Sequence, residues 1–575
     1  MAGIFVNQNR PTLLAVGTAI ESDQSLTSAR RSAIRSAINT ACRIMGLLPG
    51  MVPADINFIR RKLDGISPAA VGVKEKRFST VKSQVLFALR HLGLVGKGTY
   101  LTPMVGEWAV LWPQLPDKYA RTALSRFFRF CSARALEPGD VDDAVAQAFL
   151  EDLTDKSFKD PRVTHQNLCR VWNSMMGVVS GWPEIKLSVP RYAEHYILPR
   201  DAFPTEFWQD VDAWLANQAQ DDILNLNAPP RPLKPRTLRQ YRYEVRRFAS
   251  MLVLRGHDPN AIQSLAYLVQ PKHVEDGLRF LLARGGNKPM RSAADVAALL
   301  AKIAKHWAKA QPADVAIIKR YAKQVMPRGD GLGRKNRLRL APLRDPKNLA
   351  RLFLLPKKIR KGIETKERVL RDDALLMQLA VALLILTYAP LRIGNLAALH
   401  LEHNLHWTGP DMSGTLLLDI DGVEVKNGQT LSFPLPADCA DLIRLYVQKY
   451  RPHLTLVSNP YLFPSDLPNR PKRSDTLGKQ LSRLILRTIG LEVNPHLYRH
   501  LVHIIVLNRY PGAYAMISRI LGHKSLQTAI RNYASEDMAI SLRFFHDLVA
   551  DAASGRPLSK HDGSAVAYHQ NDRSF

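Results

Sequence analysis

Apolar residues recur at three- and four-residue intervals over most of this chain, a period that predicts helices. In the first 200 residues the examples are VKSQVLFALRHLGL (81–94) and YARTALSRFFRFCSARAL (119–136). TLRQYRYEVRRFASMLVLRG (237–256), VEDGLRFLLARG (274–285) and AADVAALLAKIAKHWAKA (293–310) carry the period through a second block. The polar, proline-containing stretch VPRYAEHYILPRDAFP (189–204) predicts a boundary between the two. The most apolar run, 374–391, has Gln378 inside it and ends at Pro390 and Arg392. Its expected state is a buried core helix, not a membrane span. Alternation replaces the helical period only around 414–436, where Asn427-Gly428 predicts a hairpin. Helices resume to about residue 550, and the polar tail 554–575 is expected to be disordered. The expected fold class is mainly α with a small antiparallel β-sheet (α+β).

The length of 575 residues predicts several domains. The expected divisions are a helical N-terminal extension (1–200), a second helical block (201–340), a mixed region (341–553) and the tail (554–575). A basic run at 331–372 reads as a connector, either a solvated surface or a strap that tracks a polyanion. The two helical blocks share a layout. Residues 121–153 and 241–281 each give a helix with Arg-Phe near its centre, a polar turn, and a helix ending Phe-Leu.

Charge narrows the partner. The formal net charge is +29 and the pI is near 10, which suits nucleic acid, with a membrane surface or ribosome as other polyanions. Cys42, Cys131, Cys169 and Cys439 are scattered, so neither a disulfide framework nor a zinc site is expected. They fit a reducing cytoplasm, and the N-terminus lacks the basic start of a signal peptide.

Four fragments hold candidate chemistry: TYAPLRIGNLAAL (387–399), VEVKNGQTLSFPLP (423–436), NPHLYRHLVH (494–503) and LGHKSLQTAIRNYA (521–534). His496, Arg499, His500 and His503 share one helical face. A cation in the middle of that face disfavours metal, and no carboxylate ligand is near in sequence, so an anion such as phosphate fits better. Two arginines, a lysine, histidines and a tyrosine suit phosphodiester transesterification. Guanidiniums can hold the charged phosphorane, a lysine or histidine can protonate the leaving oxygen, and tyrosine can attack. No cofactor or metal is required.

Together these fragments resemble the catalytic domain of the tyrosine recombinase (phage integrase) family. LRIGNL supplies Arg392, and the hairpin supplies Lys426 with Pro434 in the usual relation to it. HLYRH supplies His496, Arg499 and His500, PGAYAMISRILGH leads to His523, and RNYA supplies Tyr533. The resemblance covers about 200 residues well, and the 201–340 block more loosely matches the family's helical core-binding domain. For 1–200 it leaves two readings, an extra core-binding-like DNA domain or a partner domain. Two departures stand out. Tyr533 follows His523 by ten residues, where about nine is common, a shift that turns a helical side chain by about 100°. Asn395 occupies a position where the family often has an acid.

The resemblance implies a site-specific DNA recombinase or integrase that works through a 3′-phosphotyrosyl intermediate in a mobile-element or transposition setting. Arg392 and Arg499 would hold the phosphate, Lys426 would be the general acid and His496 would assist proton transfer. His500 and His523 would support or hydrogen-bond the phosphate, and Tyr533 would be the nucleophile. The implied partners are double-stranded DNA and either a homotetramer on paired sites or related recombinase subunits, with no membrane. The expected location is a bacterial cytoplasm or nucleoid. The amphipathic segment 535–553 is expected to dock on a neighbouring subunit or to pack in cis. Two alternatives stay open: a type IB topoisomerase-like relaxing enzyme, and a catalytically weak architectural DNA-binding subunit.

Overall fold

The computed structural model describes residues 10–549 apart from 97, 100, 101, 191, 193–195, 222–228, 230, 328–331, 426, 427, 456, 457, 511, 524, 526–529 and 531–548. Lys426, Asn427, Asn532, Tyr533, the tail and all but Val549 of the expected docking segment therefore lie outside the described residues. The protein is mostly helical with one small three-stranded antiparallel sheet. Its contacts gather into two units. One comprises Met1–Pro103, Ala148–Pro161 and Asp330–Phe575, the other Met104–Gln147 and Arg162–Gly329.

The second unit is helical. Two of its helices are α1 (Lys118–Ser132) and α2 (Pro235–Leu254). Asp117 starts α1 by accepting from Ala120 N, and Pro235 supplies a preset φ at the first position of α2. Phe207, Trp214, Phe248, Leu278 and Ile303 help form one core of this unit.

The first unit holds two cores. Leu13, Ile38, Ile59, Val81 and Leu89 belong to the N-terminal one. The other is built around α3 (Arg371–Tyr388), which buries Met377 and every residue from Ala380 to Leu386. This is the apolar run of the sequence, and its two buried polar groups explain why it is a core helix. Asp373 accepts from Leu370 N at 3.1 Å and from Lys366 Nζ. Gln378 accepts from Lys472 Nζ and donates to Tyr446 Oη at 2.8 Å, which in turn donates to the Leu462 carbonyl at 3.1 Å. No helix among the described residues is long and apolar enough to cross a membrane.

Two local expectations are corrected. The basic connector is folded into the helices Arg334–Leu340, Pro346–Phe353 and Leu355–Glu364. Its leucines decide this, because Leu340, Leu343, Leu352 and Leu355 are buried in the same core as α3. The hairpin is also longer than an Asn-Gly turn. Strands β1 (Leu405–Trp407), β2 (Leu416–Ile420) and β3 (Leu431–Leu435) pair antiparallel in that order. Pairing ends at Ile420↔Leu431, so residues 421–430 form the connection, and Val425 within it is buried.

After α3 come the short α4 (Ile393–Ala397), then α5 (Ser474–Ile489), α6 (Pro495–Arg509) and α7 (Tyr514–Leu521). Gly490 closes α5 at φ 76°, and a Cβ there would come 2.3 Å from Ala70 N. Ser67 Oγ donates to the Leu486 carbonyl at 2.7 Å, so the N-terminal segment abuts the end of α5.

Candidate functional site

α6 carries three of the sequence-predicted residues. Asn494 caps it, its side chain accepting from Leu497 N at 3.2 Å, and Pro495 opens its first turn. His496, Arg499 and His500 thus lie in the first two turns, where the helix dipole favours an anion. His496 is exposed, whereas Arg499, His500 and His503 are buried. The His496 and His500 rings meet edge to face with centroids 4.8 Å apart.

Arg499 ties three elements together. Its Nη1 donates to the Pro390 carbonyl at 2.7 Å, in the turn between α3 and α4. Its Nη2 donates to the Leu521 carbonyl at 2.7 Å, at the end of α7, and lies 3.5 Å from His523 Nε2. These carbonyls are not legible in the sequence as site groups, since every residue has one. Arg392 lies just beyond the same turn as the N-cap residue of α4, with extended backbone at φ −67° and ψ 141°. Asn395 lies within α4 and is partly exposed.

His523 is placed by Gly522, which ends α7 in the left-handed region at φ 58° and ψ 47°. A Cβ on Gly522 would sit 2.4 Å from Leu431 Cδ2, so glycine also lets α7 approach β3. The turn is closed by His523 N donating to the Ser518 carbonyl at 2.9 Å.

The electrostatics reflect this convergence. Burial lowers the Arg499 guanidinium to about 10, and neighbouring Arg392 pushes the same way. Burial also lowers Arg392. His496 is lowered by its surroundings, then by Arg499 and Arg392. His523 falls to about 4 through burial, Arg499 and Arg392. His500 falls to about 4 through burial, His496 and Arg499. His503, whose Nδ1 faces the Arg499 carbonyl at 3.1 Å, falls to about 3, mainly by burial. Among the described residues, no carboxylate contributes to any of these shifts. The histidines are therefore neutral at pH 7 beside two guanidiniums, an arrangement that favours a bound anion.

The structure thus brings Arg392, His496, Arg499, His500 and His523 together on α4, α6 and the end of α7, through hydrogen bonds, ring contact and mutual charge effects. Lys426 and Tyr533 lie outside the described residues. His503 is a packing residue on the inner side of α6, 2% exposed. Among the described residues, no three His, Cys, Asp or Glu side chains cluster as a metal site.

No protein-family model matches this chain, and no curated protein matches it. Solved structures give distant similarities. The crystal structure of XerA recombinase is 16% identical, covers 56% of this chain and 92% of its own, and has a TM-score of 0.23. XerH site-specific recombinase bound to difH substrate, in a pre-cleavage complex, is 15% identical over 51% of this chain and 75% of its own, at 0.32. The post-cleavage complex of XerH with palindromic difH substrate is 14% identical over 62% and 98%, at 0.33. Superposition at these scores says nothing about function, which has to be read from the side chains of the site.

Proposed function

We propose that the protein is a site-specific DNA strand transferase, a recombinase or integrase of the tyrosine type. The observation that carries this reading is the convergence of Arg392 and Arg499, whose charges disfavour each other, beside neutral His496, His500 and His523. Such a site has the sign and the donors for a phosphodiester, and its charge grows useful as the phosphorane becomes more negative. The net charge of +29 suits duplex DNA as the partner.

In this reading the Tyr533 hydroxyl oxygen attacks a backbone phosphorus. Its proton passes to a neutral imidazole, that of His496, and the bond to the 5′-oxygen breaks as Lys426 gives that oxygen a proton. The product is a 3′-phosphotyrosyl link and a free 5′-hydroxyl. A 5′-hydroxyl from a partner duplex reverses the steps and releases Tyr533. One phosphodiester bond is exchanged for another of similar energy, so neither metal nor nucleotide is consumed. Arg392 and Arg499 hold the nonbridging oxygens, His523 joins them through Arg499, and His500 supports His496. Assembly is a tetramer on paired sites, or a complex with related recombinase subunits, serving integration or transposition.

The test is covalent trapping. The full-length protein and Tyr533→Phe are incubated with a pool of nicked duplexes of randomised sequence and run on denaturing gels. A protein–DNA band present only with Tyr533 supports the reading. Tight DNA binding without a band overturns it in favour of an architectural subunit. Relaxation of supercoiled plasmid lacking any selected site overturns it in favour of a topoisomerase-like enzyme.

A further inference from the structure

The second unit contains the same helix and turn twice. On α1, Leu124, Phe127, Phe128 and Cys131 are buried; at a constant offset on α2, Val245, Phe248, Ala249 and Leu252 are buried. Any two amphipathic helices could share that much. They would not share the same turn at their C-terminal ends. Arg134 N and Leu136 N both donate to the Cys131 carbonyl, at 2.9 and 3.1 Å. Arg255 N and His257 N both donate to the Leu252 carbonyl, also at 2.9 and 3.1 Å. The intervening residue has positive φ in each copy, 51° at Ala135 and 98° at Gly256. A proline-led 3-10 turn comes next, Pro138–Asp140 or Pro259–Ala261, and then a fully buried Val141 or Ile262.

The outer faces correspond as well. Lys118 and Arg121 on α1 occupy the positions of Arg239 and Arg242 on α2. α1 has no acidic residue among its 15, and α2 sets Glu244 against five arginines. Lys118 and Arg121 are exposed, and Arg121 Nη2 donates to the Leu115 carbonyl at 3.1 Å, which orients its guanidinium. Arg242 is oriented by Asp212, 2.6 Å away.

We propose that residues 104–147 and 162–190 are a second copy of the helical module C-terminal to them, and that α1 is a second contact for duplex DNA. Lys118 and Arg121 bind backbone phosphates as Arg239 and Arg242 do, so the contact adds affinity and footprint without reading bases. The choice of DNA as partner rests on the recombinase reading; the duplication itself rests on the matched caps and turns.

The test measures binding of the full-length protein to a long random-sequence duplex over a range of salt. The Lys118→Gln/Arg121→Gln pair is expected to lower the slope of log affinity against log salt by about two, roughly 0.9 for each phosphate lost. The Arg239→Gln/Arg242→Gln pair is expected to do the same. Lys118→Arg/Arg121→Lys keeps the charges and is expected to keep the slope. A slope lowered by the α2 pair alone overturns the α1 contact and leaves the recombinase reading standing. A slope lowered equally by the charge-keeping pair also overturns it, since the effect would then be one of folding. If the unsubstituted protein binds no duplex at all, both readings fall.

Discussion

Two buried arginines in the same unit have opposite surroundings. Arg60, on the helix Ile56–Leu63, is 7% exposed, and Arg499 is 5% exposed. Arg60 donates to the carbonyls of Leu153, Thr154 and Ser157 and to Asn57 Oδ1. Asp64, Asp160, Asp155 and Asp55 all favour its charge. Arg499 also donates to two carbonyls, but its neighbouring charge is Arg392, which disfavours its own. A guanidinium has five N–H donors, so two carbonyl bonds leave Arg499 donors to offer. Burial alone therefore does not mark a functional arginine. Arg60 has its counter-charge within the chain and holds segments together; Arg499 is held by carbonyls in a site that attracts an anion from outside.

The contrast can be broken by exchanging readouts. Arg60→Met is expected to cost about 3–5 kcal/mol in urea unfolding, because it strands carbonyls and acids inside the fold. Cleavage per folded molecule should be unchanged. Arg499→Lys is expected to lower covalent adduct formation about 100- to 1000-fold, the scale of losing one transition-state donor, with a smaller change in stability than Arg60→Met. Equal losses of stability in the two variants would erase the distinction.

A smaller effect comes from pH. His500 and His503 are held near 4 and 3 in the folded protein, against about 6.5 when unfolded. Between those values the unfolded chain binds protons that the folded one does not. Stability should therefore fall as pH drops from about 6.5 towards 4, by up to about 1.4 kcal/mol per pH unit for each histidine. His503→Gln should reduce that slope in urea midpoints taken at several pH values; an unchanged slope would mean the ring titrates normally. The smallest effect belongs to a third kind of arginine. Arg360 pairs with Glu364 at 3.1 Å on the surface, and Arg360→Gln should shift stability by no more than about 0.5 kcal/mol.

What can be read from the sequence is mostly local. α3 is legible because an apolar run bounded by Pro390 has few other fates. The His–Arg face of α6 is legible because residues three and four apart must share a side of a helix. The repeat is visible as a layout, though its matched carbonyls and positive-φ residues need coordinates. The basic connector misleads because its arginines and lysines outnumber the leucines that fold it. The hairpin misleads because Asn427-Gly428 signals a two-residue turn, while the pairing of β2 with β3 stops earlier, with Val425 drawn into the interior.

By itself, then, the sequence determined a mainly helical chain with one small sheet, a strongly basic character, and the residue types of a phosphate-handling site in order. Tertiary structure decided which of those residues meet. Arg499 reaches Pro390 and Leu521, Gly522 admits Leu431, and Gly490 lies against Ala70, all across long stretches of chain. Helical period and capping act over a few residues and are written in local order. Contacts between distant segments depend on how whole elements bury their apolar faces, and that is settled only when the core forms.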